Sequence, residues 1–177
     1  MRGVSRAAEF REHRGVAVTI DPEDLVVGGG WLIAHYPRVQ CAYFGPNVDD
    51  RSFDEYIERF TADIERRATG EKIGVLYYAQ EADMDSPRRR RMAKVLEDHK
   101  QKLSETTAAY ALATGSPFVR GVLTTLFWLA PPGYPYKVVA TAAQGLTFIA
   151  EHLPGLAAET VATSFMELLD TRMRAAS

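Results

Sequence analysis

Residues 72–153 contain three apolar runs of strand length: IGVLYYA at 73–79, AAYALA at 108–113 and KVVA at 137–140. A segment of helix length follows each run. Strands that are separated by helix-length segments usually run parallel, with the connecting helices packed on the sheet. This alternation therefore predicts an α/β layer.

Each of the three predicted helices begins with a recognisable cap. Ser86-Pro87 opens the first helix, Ser116-Pro117 opens the second, and Thr141 with Gln144 opens the third. A Ser or Thr side chain accepts a hydrogen bond from an otherwise unpaired amide at the helix start, and proline in the first turn loses no needed donor. The predicted helices cover residues 88–103, 119–129 and 142–153.

The beginning of the chain has a different pattern. Short β-branched and apolar segments are separated by turn residues at Asp21-Pro22 and Gly28-Gly29-Gly30. This pattern predicts antiparallel strands, with the glycines in a hairpin turn rather than in a phosphate-binding loop. The predicted strands cover residues 16–20, 25–27, 31–35 and 39–44. Together the two patterns predict a mixed sheet of four to six strands with about four crossover helices.

The most regular helical pattern lies at residues 52–69. Ser52 and Glu55 have the spacing of a capping box, and Gly70 follows as a stop signal. Apolar residues recur at spacings of three and four and predict one buried stripe, formed by Phe53, Tyr56, Ile57, Phe60 and Ile64. The charged residues expected in water are Asp54, Glu58, Arg59, Glu65 and Arg66.

Length and composition favour one domain with short extensions. The chain has 177 residues, of which 46% are hydrophobic, and this is enough to bury one core. We expect a tail at residues 1–14, an α/β domain at 15–153 and a helical extension at 154–177. The last helix, expected at about 158–174, carries an apolar stripe formed by Val161, Phe165, Leu168 and Leu169. This stripe packs on its own domain or on another subunit, so a homo-oligomer through the C-terminal helix is one of two expectations.

Charge and apolar-run length argue against two classes of partner. The chain has 21 basic and 23 acidic residues and a formal charge of -2, so its net charge does not favour binding to nucleic acid. Its longest apolar runs fall short of the ~20 residues that span a bilayer. The N-terminus lacks the pattern of a secretory signal, and the single cysteine, Cys41, cannot form an internal disulfide. We therefore expect a cytoplasmic protein without a transmembrane segment.

The apolar strand at 73–79 is followed by Met84-Asp85-Ser86 and by a helix with Met92, Val95 and Leu96 on one side. This order resembles the antagonist motif of the STAS domain, the small α/β module of bacterial anti-sigma-factor antagonists. In that family, an Asp-Ser pair at a helix start carries regulatory phosphorylation. The resemblance implies a STAS-like fold and a non-enzymatic regulatory module that binds a protein partner in a signalling or partner-switching system.

A second likeness lies further along the chain, in residues 116–121, 126–128 and 136–139. These segments are similar to the C-terminal half of bacterial STAS/SEC14-like proteins, and the whole resemblance covers residues 16–153. Its SEC14 branch implies an alternative function, the binding of a small apolar or lipid-like ligand. The aromatic residues that would line such a site are Phe118, Phe127, Trp128 and Phe148, for which ordinary core packing is the other interpretation.

Ser86 is the candidate phosphorylation site, because a phosphate at this helix N-terminus would lie among guanidinium groups. The alternative is that Ser86 serves only as a helix cap. In the antagonists, two small hydroxyl residues and a glycine follow the Asp. Here Asp85 is followed by Ser86, and Pro87 and four arginines at 88–91 come next, so that Pro87 takes the position of the second hydroxyl residue.

The arginine run is the main candidate partner surface. Four arginines in one helical turn point in every direction, so at least two must face water or a partner. We assign partner binding to four residues at this helix start: Asp85, Arg88, Arg89 and Arg91. The alternative is a solvated surface neutralised by the upstream acidic residues Glu81, Asp83 and Asp85.

The loop at residues 131–136 is a second candidate partner surface. It is rich in proline, which stiffens it, and it carries Tyr134 and Tyr136, residues that make good interface anchors when exposed. The alternative is that one of these tyrosines closes the core.

No catalytic, metal or cofactor site is expected. The four histidines lie far apart without zinc-ligand spacing, at His13, His35, His99 and His152. No nucleophile elbow, P-loop or dinucleotide-binding loop follows a strand. Cys41 lies in a predicted strand without an obvious base beside it, which favours a buried structural thiol. An enzyme is therefore only the third alternative.

Overall fold

A computed structural model of the chain describes residues 20–79, 86–117, 120 and 132–175. Within these residues the chain forms six strands and five helices, so the predicted α/β class is confirmed. In chain order the elements are β1 (Asp24–Val27), β2 (Trp31–Tyr36), β3 (Val39–Phe44), α1 (Asp50–Arg66), β4 (Ile73–Ala79), α2 (Ser86–Asp98), α3 (Lys100–Thr106), β5 (Thr107–Ala113), β6 (Tyr136–Val139), α4 (Ala142–His152) and α5 (Ala158–Ala175).

The six strands form one mixed sheet in their chain order. β1, β2 and β3 pair antiparallel, whereas β3, β4, β5 and β6 pair parallel. The glycine turn joins β1 to β2, with the Gly28 amide donating to the Trp31 carbonyl at 2.9 Å and Gly30 at a φ of 83°. The antiparallel beginning, the hairpin and the later parallel alternation were all predicted and are confirmed.

Alternating side chains divide the core into two layers, one on each face of the sheet. On one face, Leu32 and Leu76 belong to the layer formed with α4 and α5. On the other face, Ile33 and Tyr77 belong to the layer formed with α1, α2 and α3. The sheet is therefore covered on both sides, as expected for parallel strands.

Small residues allow α4 to lie close to the sheet. A Cβ atom on Gly145 would lie 2.7 Å from Leu76 Cδ1 and 3.1 Å from the Ala111 Cβ. A Cβ atom on Gly74 would lie 2.2 Å from Ile149 Cγ2. The face opposite α1 therefore has no room for larger side chains at these two glycines.

Helix α1 begins earlier than the sequence predicted. Asp49, rather than Ser52, is the N-cap, and its carboxylate accepts a hydrogen bond from the Ser52 amide at 2.7 Å. This hydrogen bond lowers the pKa of the Asp49 carboxyl group. The predicted cap was wrong because both side chains are good caps, and the apolar stripe begins at Phe53 with either one. All five residues of the predicted stripe are buried.

Several other boundaries differ from the prediction. The helix expected at 88–103 is divided into α2 and α3 at His99, where φ is -109° and ψ is 13°. Thr141 caps α4 as predicted, with its Oγ1 accepting from the Gln144 amide at 3.2 Å. Ile20 is not part of a strand. Three predicted segments lie outside the described residues: the tail at 1–14, the rest of the strand at 16–20, and the helix at 119–129 apart from Arg120.

The apolar stripe of α5 is covered within the chain itself. Val161, Phe165 and Leu169 are at most 5% exposed and belong to the same core layer as α4. The stripe thus packs within its own chain, in the core layer that includes α4. A homo-oligomer through this helix stays a prediction.

Candidate functional site

Several helix starts lie together at one edge of the sheet. The carboxyl ends of β3, β4, β5 and β6 point to this edge because the four strands run parallel. After β3 the chain enters α1, after β4 it reaches α2, and after β6 it enters α4. In α/β sheets, the carboxyl ends of parallel strands are the usual place for binding sites.

Two arginines at the start of α2 form hydrogen bonds and ion pairs with the start of α1. Arg88 donates to the Val48 carbonyl at 2.8 Å and to the Asp50 carboxylate at 2.6 Å. Arg91 forms an ion pair with Asp54, one turn further along α1. Both guanidinium groups also lie over the Phe53 ring, with the two Cζ atoms 5.5 and 5.4 Å from its centroid.

These contacts divide the arginine run into two kinds of residue. Arg88 is only 17% exposed and holds the helix in place. Its ion-pair partner Asp50 is 93% exposed, so the attraction between the two charges alone contributes little to stability. Arg91 is half exposed, and Pro87 and Arg90 are exposed. The carboxylates that pair with Arg88 and Arg91 lie on α1, and the Val48 carbonyl lies just before it. The acidic residues predicted to neutralise these arginines lie outside the described residues.

The other predicted residues of this surface are less fully described. Asp85 lies outside the described residues, and Arg89 is described only as part of the α2 backbone. Ser86 is the first residue of α2. Its position at the helix start is compatible with both a cap and a phosphorylation site.

Tyr134 and Tyr136 do not join this surface. Tyr136 begins β6 and Tyr134 lies two residues before it, at the opposite, amino-terminal edge of the parallel strands. The Tyr134 ring lies 6.4 Å from the Tyr110 ring, and burial raises the pKa of Tyr134. Ser104 of α3 donates to the Gly133 carbonyl at 3.2 Å, which holds this loop against the helix layer. The two predicted partner surfaces are thus separate.

A buried charged cluster beneath the second half of α1 was missed by sequence reasoning. Asp63 is 4% exposed, and its Oδ1 lies 3.0 Å from Arg59 Nε and 2.5 Å from an Arg66 nitrogen. Arg59 also pairs with Asp24 of β1 at 2.6 Å. The expectation that Arg59 points into water was wrong, because two carboxylates hold it against the edge of the sheet with 22% exposure.

His35 lies between the two carboxylates of this cluster. Its Nε2 is 3.6 Å from Asp63 Oδ2, and its Nδ1 is 3.8 Å from Asp24 Oδ2. Burial lowers the pKa of His35 despite the nearby negative charges, since Arg59 and Arg67 oppose them. The imidazole is therefore neutral near pH 7, with only long contacts to both carboxylates.

Arg67, directly after α1, has only neutral hydrogen-bond acceptors among the described residues. It donates to Gln40 Oε1 at 2.7 Å and to Thr107 Oγ1 at 3.4 Å. Its buried Nε and the buried Nε2 of Gln40 have no hydrogen-bond partner in the described part of the chain. Burial lowers the pKa of Arg67, although a guanidinium keeps its charge at neutral pH. A partly buried cation that forms no ion pair within the described residues is costly in a fold.

The sequence did contain a signal for this cluster. Asp63 lies three residues after Phe60 and directly before Ile64, inside the buried stripe of α1. Gln40 lies second in an otherwise apolar strand, β3, in which every residue is buried. A polar residue at an apolar position of a periodic pattern predicts a buried polar partner, and this rule identifies both residues.

A row of four tyrosines, two buried and two partly buried, lies near this cluster beneath α1. The Tyr56 and Tyr77 rings make an edge contact at 6.5 Å, and Tyr110 lies between Tyr77 and Tyr134 in the same layer. Burial raises the pKa of all four groups. The phenols therefore stay neutral at physiological pH.

A separate cavity of about 520 Å³ lies between β6 and α4. Its lining includes Phe148, whose ring is 5.4 Å from Lys137 Nζ, together with Arg120 and Gln144. Of the aromatic residues predicted to line an apolar ligand site, only Phe148 belongs to the described part of the chain. Its neighbours here are a mixture of polar and apolar side chains.

Cys41 lies in β3 and is completely buried, and burial raises the pKa of its thiol. A thiol in this state is a poor nucleophile. Across the described ranges, no group of three or more histidine, cysteine or acidic residues is placed to hold a metal ion. Within the same ranges, no helix combines the length and apolar character needed to cross a membrane.

Comparison with known proteins gives no assignment: the chain matches no protein-family model, and no curated protein or solved structure matches it significantly.

Proposed function

We propose that this chain is a non-enzymatic regulatory module of STAS-like fold that binds a protein partner at the start of α2. The observation that carries this proposal is the attachment of Arg88 and Arg91 to α1 through Asp50, Asp54 and Phe53. A helix start held in one place is a preorganised surface, and preorganisation reduces the entropy lost on binding.

The exposed groups at this helix start suggest the chemistry of the partner. Pro87 and Arg90 are exposed, and Arg91 remains half exposed beside its ion pair. Arginine is enriched in protein interfaces because its planar guanidinium forms bidentate hydrogen bonds with carboxylates. We therefore propose an acidic surface on the partner.

The resemblance to STAS antagonists supports the same location. In those proteins the regulatory hydroxyl lies at a helix start that follows an apolar strand, and here Ser86 begins the helix that follows β4. A phosphate on Ser86 would add close to two negative charges beside the arginines. It would compete with an acidic partner for them, and modification of Ser86 would then release the partner.

The test compares three forms of the full chain as baits in lysate of the source organism. The variant Arg90→Glu reverses an exposed charge on α2 while Arg88 and Arg91 still hold the helix. The matched control is Arg172→Glu, the same charge reversal at an exposed position of α5, on the other face of the sheet.

The expected result is a protein retained by the wild type and by Arg172→Glu, and lost with Arg90→Glu. The purified partner should then bind Arg90→Glu at least tenfold more weakly than the wild type. Equal retention by all three baits would contradict a partner surface at this helix start.

The alternative proposal is an apolar or lipid-like ligand, and the one observation in its favour is that Phe148 lines the cavity of about 520 Å³ beside β6. Native mass spectrometry of the purified chain tests it. A copurified apolar molecule would support this alternative, and a mass equal to that of the chain would contradict it.

A further inference from the structure

A second cavity, of about 270 Å³, lies beside the buried charged cluster, at the sheet edge opposite the start of α2. Its lining includes Asp24, His35, Asp63, Arg66, Arg67 and Glu71. Cavities that bind drug-sized ligands usually have volumes of about 300–1,000 Å³. This cavity therefore suits a smaller and strongly polar molecule.

Most charges around the cavity are paired within the protein. Asp24 pairs with Arg59, and Asp63 pairs with Arg59 and Arg66. Within the described residues, by contrast, Arg67 donates only to the neutral side chains of Gln40 and Thr107.

Glu71 is the other charged residue on the cavity wall that has no ion-pair partner among the described residues. It is exposed, and no basic group of the described residues lies within 4.0 Å of its carboxylate. Of the groups that line this cavity, the guanidinium of Arg67 and the carboxylate of Glu71 thus have no ion-pair partner within the described part of the chain.

We propose that this cavity binds a small molecule of amino-acid size that carries both a carboxylate and a protonated amine. Arg67 binds the ligand carboxylate, and Glu71 binds its ammonium group. The site is independent of the partner surface proposed for α2, because the two lie at opposite edges of the sheet.

Charge complementarity favours a zwitterion over a simple ion. An anion alone would meet the carboxylates of Asp24 and Asp63 on the cavity wall, and a cation alone would meet Arg66 and Arg67. A zwitterion can place each of its charges beside the opposite one. Gln40 and Thr107 already fix the Arg67 guanidinium, so its orientation needs little adjustment on binding.

The probes are the twenty common L-amino acids, tested individually against the purified full chain by saturation-transfer NMR. The tightest binder is then titrated by calorimetry, together with its N-acetyl derivative, which lacks the amine charge, and its carboxamide, which lacks the carboxylate. The variants are Arg67→Gln and Glu71→Gln. Glu58→Gln, at an exposed position of α1 outside the cavity lining, is the matched control.

We expect one or more amino acids to bind, with Kd raised at least tenfold in both cavity variants and unchanged in Glu58→Gln. Both derivatives should bind at least tenfold more weakly than the parent amino acid. Glu71 is exposed, so Glu71→Gln reports on binding even if Arg67→Gln does not fold.

Three results would overturn the proposal. The first is the absence of binding by every amino acid, and the second is an unchanged Kd in Glu71→Gln. The third is an N-acetyl derivative that binds as tightly as its parent, since the ligand would then be a simple anion.

Discussion

Arg88 in the first turn of α2 contacts Asp50 in the first turn of α1, with 2.6 Å between a guanidinium nitrogen and the carboxylate. The same guanidinium donates to the Val48 carbonyl and lies over the Phe53 ring. One side chain thus joins two helix starts that are 38 residues apart in the sequence. This contact gives the proposed partner surface its fixed position.

Replacement of Arg88 should destabilise the fold. Arg88→Ala removes the hydrogen bond to the Val48 carbonyl and the cation–π contact with Phe53, so we expect a loss of about 1–2 kcal/mol in the free energy of unfolding. The control is Lys94→Ala, which removes an exposed ion pair with Asp98 in the same helix and should cost at most about 0.5 kcal/mol. Urea unfolding measures both, and equal losses would contradict a special role for Arg88.

Asp63→Asn should lower the free energy of unfolding by about 2–4 kcal/mol. The substitution leaves Arg59 and Arg66 beside a neutral side chain in a nearly buried position. The matched control is Asp54→Asn on the same helix, where the ion pair with Arg91 is half exposed on both sides. That change should cost less than about 1 kcal/mol. If chemical denaturation gives the same decrease in the free energy of unfolding for both variants, the buried charged cluster does not stabilise the fold more than an exposed ion pair does.

Gly74→Ala should destabilise the chain by about 1–3 kcal/mol, because the added Cβ would collide with Ile149 Cγ2 at 2.2 Å. The control is Gly115→Ala, where an added Cβ meets no atom of the described residues within 4 Å and the free energy of unfolding should change by at most about 0.5 kcal/mol. Thermal unfolding compares the two. Equal melting temperatures would show that α4 does not lie as close to β4 as described.

His35 should make the stability of the fold depend on pH. Its pKa in the folded chain is lowered from 6.5, chiefly by burial, so the unfolded chain binds the proton more tightly. The free energy of unfolding should therefore be highest above about pH 6.5 and should fall as the pH drops below that value and the buried imidazole must become charged. The groups that face His35 are Asp24, Asp63, Arg59 and Arg67.

The check is urea unfolding at pH 7.5 and 5.5 for the wild type and for His35→Gln. The wild type should lose more stability between the two pH values than the variant, because the other histidines are common to both proteins. A larger loss in His35→Gln would mean that the neighbouring carboxylates, rather than burial, determine the pKa of His35.

Periodicity and turn chemistry were sufficient to predict the sheet and most of its helices. The buried stripe of α1, the Thr141 cap and the glycine hairpin depend on interactions between residues that are close in sequence. Local patterns contain this information directly. The N-cap of α1 was mispredicted because Asp49 and Ser52 both fit a cap, and only the path of the chain after β3 distinguishes them.

The arrangement of the sites could not be obtained in this way. Ser86 and Tyr134 lie at opposite edges of the sheet because one follows a parallel strand and the other precedes one, and this requires the strand directions. Asp63 was overlooked since a carboxylate is expected in water even when its position belongs to a buried stripe. Arg59 lies four residues before Asp63 on the same helix, whereas His35 comes from β2, and only the fold brings His35 beside Asp63.

The most direct test of the central claim is hydrogen exchange, read by mass spectrometry, on the chain alone and with the protein captured by the wild-type bait. We expect slower exchange in the complex at the start of α2 and the first turns of α1, with no change at β6. Protection at β6 or α5 without protection at α2, or no captured protein at all, would contradict a partner surface at the start of α2.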